Sequence, residues 1–361
     1  MTDVVPHARP IIGEAEEAAV LRVLRSGRLA QGEEVEAFET EFSAHFGLDR
    51  ACVAVSSGTA GLHLSMLALG IGPGDEVVVP SFTFAATANA VALTGATPVF
   101  ADVDDTFCLD PDAVEAVVGP RTVAVVPVHL YGQPAAMDRL LPLARRHGLA
   151  VVEDAAQAHG ASLDGVPVGA FGDLGVFSLY PTKNMTAGEG GMVTVAAASH
   201  ERLLRLLRNQ GMLERYRNEV VGLNTRMTDL HAAIGRVQLT RVDAWTRRRQ
   251  DVARRYDAEL RGVTVPVVRP GARHVYHQYT VRVAEDRDGF AAALLREHGI
   301  SSGVFYPVPV HRLPSFDRVL DLPATERAAR ECLSLPVHPA LSDDVVDRVV
   351  EAVARVAGAG S

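Results

Sequence analysis

One side chain in this sequence has no stand-in. The 361 residues include 34 arginines and a single lysine, Lys183. Arginine supplies nearly every other cation, but its guanidinium stays protonated and is a poor nucleophile. A lysine amine can lose its proton in a suitable site and form a Schiff base with a carbonyl. Biased codon usage with one lysine left over explains the count as well, so the neighbourhood of Lys183 has to decide. It stands in GVFSLYPTKNMTAGEGGMV (175–193), after a strand-like run through Ser178 and before Gly188, Gly190 and Gly191. Glycines beside a lysine let backbone approach a ligand closely, and a loop at a strand edge is where reactive side chains are commonly displayed.

Two further patterns carry chemistry. Ser56-Ser57-Gly58-Thr59-Ala60-Gly61 joins strand-like CVAV to helical AGLHLSMLAL. Hydroxyls can cap the helix, glycine permits close approach, and the helix N-terminus favours an anion, so the segment can cradle a phosphate. It also reads as an ordinary tight turn and cap. It is not a dinucleotide fingerprint, because no G-x-G-x-x-G follows the strand. LAVVED (149–154) ends in Glu153 and Asp154, and the chain then passes through small residues to Gln157 and His159. A carboxylate at the carboxyl end of a parallel strand faces the ligand crevice and can pair with a cationic nitrogen. A helix cap or a salt bridge would use the same residue.

The elements that must hold these residues follow from hydrophobic patterning. Residues 14–26 and 33–46 read as amphipathic helices stopped by Gly27 and Gly47. Short apolar runs then recur at 52–55, 76–80, 97–103, 122–128, 149–154, 175–179 and 191–195, with helical segments such as 137–147 between them. That alternation predicts an α/β fold with a largely parallel, buried sheet. Residues 200–217 and 229–261 read as arginine-rich helices with Asp and Glu interleaved, a solvated face rather than a nucleic-acid patch. From about Val263 the pattern is a smaller α+β unit, with a strand at YTVRV and helices at FAAALLREHG and SDDVVDRVVEAVARV. The expected division is residues 1–245, a large α/β domain with an N-terminal helical segment, and residues 246–361, a small C-terminal domain that includes the connecting helix.

Bulk properties narrow the class. Hydrophobic residues make up 48% and charged residues 22%, enough for a large core and against disorder. The net charge of −9 argues against a nucleic-acid partner. Cys52, Cys108 and Cys332 are far apart and odd in number, which suits buried reduced thiols rather than a disulfide framework. His129, His159, His311 and His338 lack ligand spacing, so no metal is expected. The stretch MTDVVPHARP lacks a secretion-signal pattern and no apolar run is long enough to span a bilayer, so a cytoplasmic location without membrane association is expected.

A phosphate anchor, an acid and a Schiff-base amine at strand ends of one sheet are what pyridoxal 5'-phosphate needs: its phosphate, its pyridine nitrogen and its aldehyde each find a partner. From about Pro10 to Val356 the chain also resembles the DegT/DnrJ/EryC1/StrS family of pyridoxal-phosphate-dependent sugar aminotransferases. The resemblance is carried by IGEAEEAAVLRVLRSGRLAQG, VAVSSGTAGLHLSMLALGIGPGDEVVVPSFTFAATANAV, PVHLYG, EDAAQAHGA, FSLYPTKN, GEGGMV, RMTDLHAAIG and LPVHP. It implies the fold-type I aminotransferase architecture and a homodimer with shared active sites. By the same resemblance Lys183 carries the cofactor, Asp154 partners the pyridine nitrogen and Gln157 contacts the ring's oxygen side. Gly58, Thr59 and Ser178 hold the phosphate, Phe84 stacks on the ring, and Asn224 reaches the other subunit's phosphate. His159 is placed near the cofactor in a supporting role. With His159, Tyr306 and His311 are the candidates near the substrate.

The implied reaction is a ping-pong transamination through pyridoxamine phosphate, from an amino-acid donor, L-glutamate, to a nucleotide-linked keto-deoxysugar. A keto-inositol acceptor is the alternative within the family. A non-catalytic regulatory protein retaining the fold and a nicotinamide oxidoreductase are the alternatives outside it. The lysine, where related dehydratases carry histidine, favours transamination. Two residues depart from the pattern: Thr225 stands where an aromatic residue is usual, and Gln278 where an apolar one is common.

Overall fold

The computed structural model describes residues 4–359, so the first three residues of MTDVVPHARP and the last two of the chain lie outside the described residues. Two helices open the chain, α1 (Glu14–Ser26) and α2 (Glu33–Phe46). Glutamates crowd their first turns, where they complement the helix dipole, and Gly47 ends α2 in the left-handed conformation (φ 62°), which costs a glycine nothing sterically. Both pack on a later helix, Asp229–Leu239. There Gly235 lets the backbones close in: a Cβ at that position would lie 2.6 Å from the Phe38 ring.

Seven strands build the central sheet: β1 (Ala51–Val55), β2 (Glu76–Pro80), β3 (Thr97–Ala101), β4 (Thr122–Val125), β5 (Ala150–Asp154), β6 (Leu174–Ser178) and β7 (Gly191–Val195). Their order is β1-β7-β6-β5-β4-β2-β3. The pairs β2–β3, β2–β4, β4–β5 and β5–β6 are parallel, whereas β6–β7 and β1–β7 are antiparallel. Helices cover both faces, so consecutive residues such as Val77, Val78 and Val79 are all fully buried. Unbroken valine runs, rather than alternation, are therefore the signature of these strands. Each such side chain contributes about 1.5–3 kcal/mol on burial.

Register brings the site together. Ser178 pairs with Gly191, and Gly191 pairs with Val55 across β7. β5 runs beside β6 with Asp154 opposite Val176. The ends of three strands thus lie side by side, and the chain leaving β1 turns at once into helix α3 (Gly58–Ala68). Glu153, next to Asp154, points the other way. It is fully buried and accepts hydrogen bonds from the backbone of Gly169, Phe171 and Gly172 at 2.7–2.9 Å, with His129 Nε2 at 3.0 Å. Glu153 holds the loop between β5 and β6, and Asp154 is left to face the cavity.

The expected helix over 200–217 is shorter. It ends at Leu207, and the chain to Thr228 folds on itself through the bridges Asn209–Asn224 and Met212–Asn218. The cause is Gly211, at φ 75° and with no room for a side chain against the Val220 carbonyl. The helical stretch over 229–261 likewise breaks at Thr240–Arg241 into Asp229–Leu239 and Val242–Glu259. Beyond it, Tyr279–Arg282 pairs antiparallel with Cys332–Leu335. These strands share an apolar core with Tyr256, Leu294, Val346, Val349 and Val353. Arg249 ties this region together by donating to the carbonyls of Tyr276 and Val337.

The three cysteines are free and buried, and burial pushes the Cys52 and Cys108 thiols up to about 12. Among the described residues no helix is long and apolar enough to cross a membrane.

Candidate active site

A cavity of about 460 Å³ opens where the ends of β1, β5 and β6 meet α3. Gly58, Thr59, Phe84, Asp154, Gln157, Ser178, Lys183 and Tyr306 all line it, so eight positions singled out in the sequence converge on one space.

Lys183 sits on the loop after β6 and its amine is largely withdrawn from water. Burial lowers its pKa from the ordinary 10.5 to about 8, against the opposing pull of Asp154. Neutral, nucleophilic amine is therefore present near physiological pH. Uptake of pyridoxal phosphate by the cofactor-free protein should accelerate as pH rises through about 8, a window where an ordinary lysine is still protonated. Rapid-mixing absorbance across pH 6.5–9.5, on the order of one pH unit per step, checks this. A midpoint near the ordinary lysine value would show that the site does not activate the amine.

Asp154 is 5% exposed. Thr87 Oγ1 donates to its Oδ2 at 2.8 Å and the Ala156 N–H to its Oδ1 at 3.1 Å. Burial raises its pKa, and Thr87, the Ala156 N–H and Lys183 pull it back. A carboxylate in this position stabilises a cationic partner more than any exposed one does, because little water screens it. Gln157 is fixed at both ends. Its Oε1 accepts from the Tyr131 N–H at 2.8 Å and its Nε2 donates to Tyr306 Oη at 3.2 Å.

The phosphate cradle is built from small residues. Ser57 caps α3, accepting from the Ala60 N–H at 3.1 Å. The first helical N–H groups have no partner within the helix and are aimed outward. A Cβ on Gly58 would lie 2.9 Å from Ser178 Cβ, and one on Gly191 would lie 2.7 Å from the Ser57 carbonyl. An anion-binding helix terminus, a serine, an aromatic ring, a buried acid and the one lysine fit pyridoxal phosphate group by group. Gly58→Ala should weaken cofactor binding at least about tenfold and cost about 1–3 kcal/mol of stability through overpacking. Cofactor titration and thermal unfolding would check both.

The structure places two candidates outside the cavity lining. His159 does not line the cavity. It is fully buried between Phe42 and Phe177, at ring distances of 6.5 and 5.3 Å, and burial pulls its pKa down to about 3. This neutral imidazole packs inside an aromatic cluster behind the cavity wall, where the Lys183 charge lowers its pKa further. His311 is also fully buried and outside the lining. Its Nδ1 lies 2.6 Å from Ser81 Oγ and its Nε2 3.3 Å from Glu326. Asn224 is exposed on the 208–228 loop and does not line its own chain's cavity. Thr87, which orients Asp154, was not singled out from sequence; its signal was its place four residues after Thr83 in SFTFAAT, one helical turn on. His7, His277 and Tyr180 are further lining residues that sequence reasoning missed.

Known proteins are similar to this chain in sequence and fold. The DegT/DnrJ/EryC1/StrS aminotransferase family matches residues 10–354. A dTDP-3-amino-3,4,6-trideoxy-alpha-D-glucose transaminase of Streptomyces venezuelae is 45% identical over 346 residues, 93% of this chain and 90% of the relative. A UDP-N-acetyl-3-dehydro-alpha-D-glucosamine 3-aminotransferase of Acidithiobacillus ferrooxidans is 41% identical, covering 98% of this chain and 97% of its own. Spr1654 of Streptococcus pneumoniae, solved in its PLP form, superposes with a TM-score of 0.91 at 29% identity, covering 99% of both chains. Matched over nearly its whole length, the chain belongs to the DegT/DnrJ/EryC1/StrS aminotransferase family.

Proposed function

We propose that this protein moves an amino group from L-glutamate to the keto carbon of a nucleotide-linked deoxysugar, as a homodimer. The observation that carries the reading is the presence of the only lysine, with its depressed pKa, in one cavity with buried Asp154 and the α3 N-terminus. The relatives named as aminotransferases of dTDP- and UDP-linked sugars support the acceptor class.

When bound, pyridoxal phosphate supplies an aldehyde for amine exchange and a ring that accepts electrons from the donor's Cα. The residues of this chain do the rest. Gly58, Thr59 and Ser178 bind the phosphate and fix the ring's position, while Phe84 covers one face. Asp154 holds a proton at the ring nitrogen. Gln157, pinned by Tyr131 and Tyr306, orients the ring's oxygen side. Lys183 Nζ takes the proton from the donor's Cα and, in the second half, delivers one to the sugar carbon that gains nitrogen. Water then releases the donor as its 2-oxo acid, and the nitrogen left behind passes in the second half to the sugar, whose keto oxygen leaves as water.

The dimer reading rests on the 208–228 loop. It carries Asn224 together with exposed Leu213, Tyr216, Val221 and Leu223, an apolar face that suits coverage by a second copy. In this reading residues 1–245 carry the cofactor and 246–361 close over the acceptor.

A panel of 3-keto and 4-keto nucleotide sugars, assayed with glutamate, tests the acceptor. The holoenzyme should show the cofactor band near ~410–430 nm and lose it on addition of glutamate alone. A protein that stays colourless with added cofactor, or that aminates no nucleotide sugar while accepting a keto-inositol, would sink the reading.

A further inference from the structure

His277 and Gln278 line the same cavity as Lys183, and none of the roles above uses them. They are consecutive, immediately precede the strand Tyr279–Arg282, and are 5% and 7% exposed. The hydrogen bonds around His277 settle its tautomer. Asn184 donates from Nδ2 to the Val275 carbonyl at 3.0 Å, so its Oδ1 is the atom turned to His277 Nδ1, at 3.3 Å. An amide oxygen only accepts, so Nδ1 carries the hydrogen and Nε2 presents a lone pair. That Nε2 has no partner among the described residues and is not among the polar atoms sealed from solvent. Burial, reinforced by Lys183 and Arg249, holds the ring neutral.

Gln278 supplies the complement. Its backbone N–H donates to the Tyr131 carbonyl at 3.2 Å, which fixes the residue on the cavity wall. Its side-chain amide has His7 as its neighbour, and His7 is itself backed by the Phe305 ring at 5.3 Å. The contact raises the His7 pKa, as an accepting amide oxygen does, so Gln278 Oε1 faces His7 and the Nε2 hydrogens keep capacity for a ligand.

A lone pair beside an amide suits a ligand group that both donates and accepts. A hydroxyl does so; a carboxylate or a phosphate would set oxygen against the Nε2 lone pair. We propose that His277 and Gln278 form the subsite that reads a ring hydroxyl of the sugar near the carbon being aminated. This inference rests on the sugar transaminase reading above. It makes the pair specificity-determining residues for the second half-reaction, with no part in the first.

The two half-reactions separate the possibilities. The probes are dTDP-3-amino-3,4,6-trideoxy-α-D-glucose and the 3-amino product of the UDP-N-acetyl-3-dehydroglucosamine reaction, each run in reverse against the holoenzyme, with L-glutamate as the other substrate. Gln278→Leu and His277→Phe should each lower kcat/KM for the sugar about tenfold, through KM, as the loss of one hydrogen bond does. The glutamate half-reaction should stay within about twofold and the cofactor band should be kept. His277→Asn, which retains an acceptor, should recover part of the loss. Unchanged sugar kinetics in both apolar variants, equal slowing of both half-reactions, or slowing of the glutamate half alone would overturn the assignment; the last would mark a donor subsite. A wild-type holoenzyme that reacts with glutamate but with neither sugar would instead remove the sugar reading itself, a result visible before any variant is made.

Discussion

Lys183→Arg is expected to lower turnover by about 10⁴-fold or more while leaving the fold intact, because the loss combines the covalent anchor of the cofactor with the acid–base group at the reacting carbon. The replacement keeps the positive charge and most of the length. It therefore removes only what arginine lacks, a nitrogen that can be neutral near pH 8. Thermal unfolding should change little, since among the described residues the amine has no hydrogen-bond partner that the variant would lose. The single lysine makes a second readout unusually clean. Borohydride treatment of the wild-type holoenzyme should fix the cofactor on one peptide, the one carrying Lys183, and on no other side chain amine. Peptide mass spectrometry reads that directly. An arginine variant turning over at wild-type rates would remove the basis for treating the lone lysine as the reactive amine.

Much of this site was legible before folding because its parts are local. SSGTAG, EDAAQ and FSLYPTK each place a chemical group at the end of a short buried run, and valine-rich strands flanked by helices can hardly form anything but a two-sided sheet. What brings those ends together is register, and register is non-local: Ser178 opposite Gly191 opposite Val55 is not encoded in any one segment. The two histidines outside the cavity lining share a cause. His159 follows Asp154 by five positions, but the turn through Ala155–Ala158 carries it behind the sheet into the Phe42–Phe177 cluster. His311 follows Tyr306 by five, and the chain turns it onto Ser81. Thr87 and His277 illustrate the opposite difficulty. Thr87 orients Asp154 and His277 is held by Asn184, and no motif marks a hydroxyl or imidazole that orients something else or is oriented by it.

Asp154→Asn should separate function from stability in the same molecule. The amide is nearly the same shape. Its oxygen can keep the Ala156 N–H, and the Thr87 hydroxyl, already 3.3 Å from the Phe84 carbonyl, can turn to donate there and accept from the new amide. What disappears is the negative charge. An amide cannot hold a proton at a ring nitrogen, so turnover should fall about 10²–10⁴-fold, the range for a lost general acid–base contribution. In the cofactor-free protein the sign reverses. Burial raises the folded-state pKa of Asp154 above its ordinary value, so the folded state binds more protons than the unfolded chain between the two values, and stability falls as pH rises through that window. At neutral pH the ionised carboxylate is therefore a cost, and cofactor-free Asp154→Asn should melt higher than wild type. The gap should shrink as pH falls and the wild-type acid becomes neutral. Adding pyridoxal phosphate should favour the wild type again, because the protonated ring nitrogen would give the buried acid a cationic partner beyond the partial pull of Lys183. Melting curves with and without cofactor at neutral and acidic pH, read beside turnover, test the whole sequence. A variant that is less stable without cofactor and fully active with it would mean that Asp154 serves the fold rather than the chemistry.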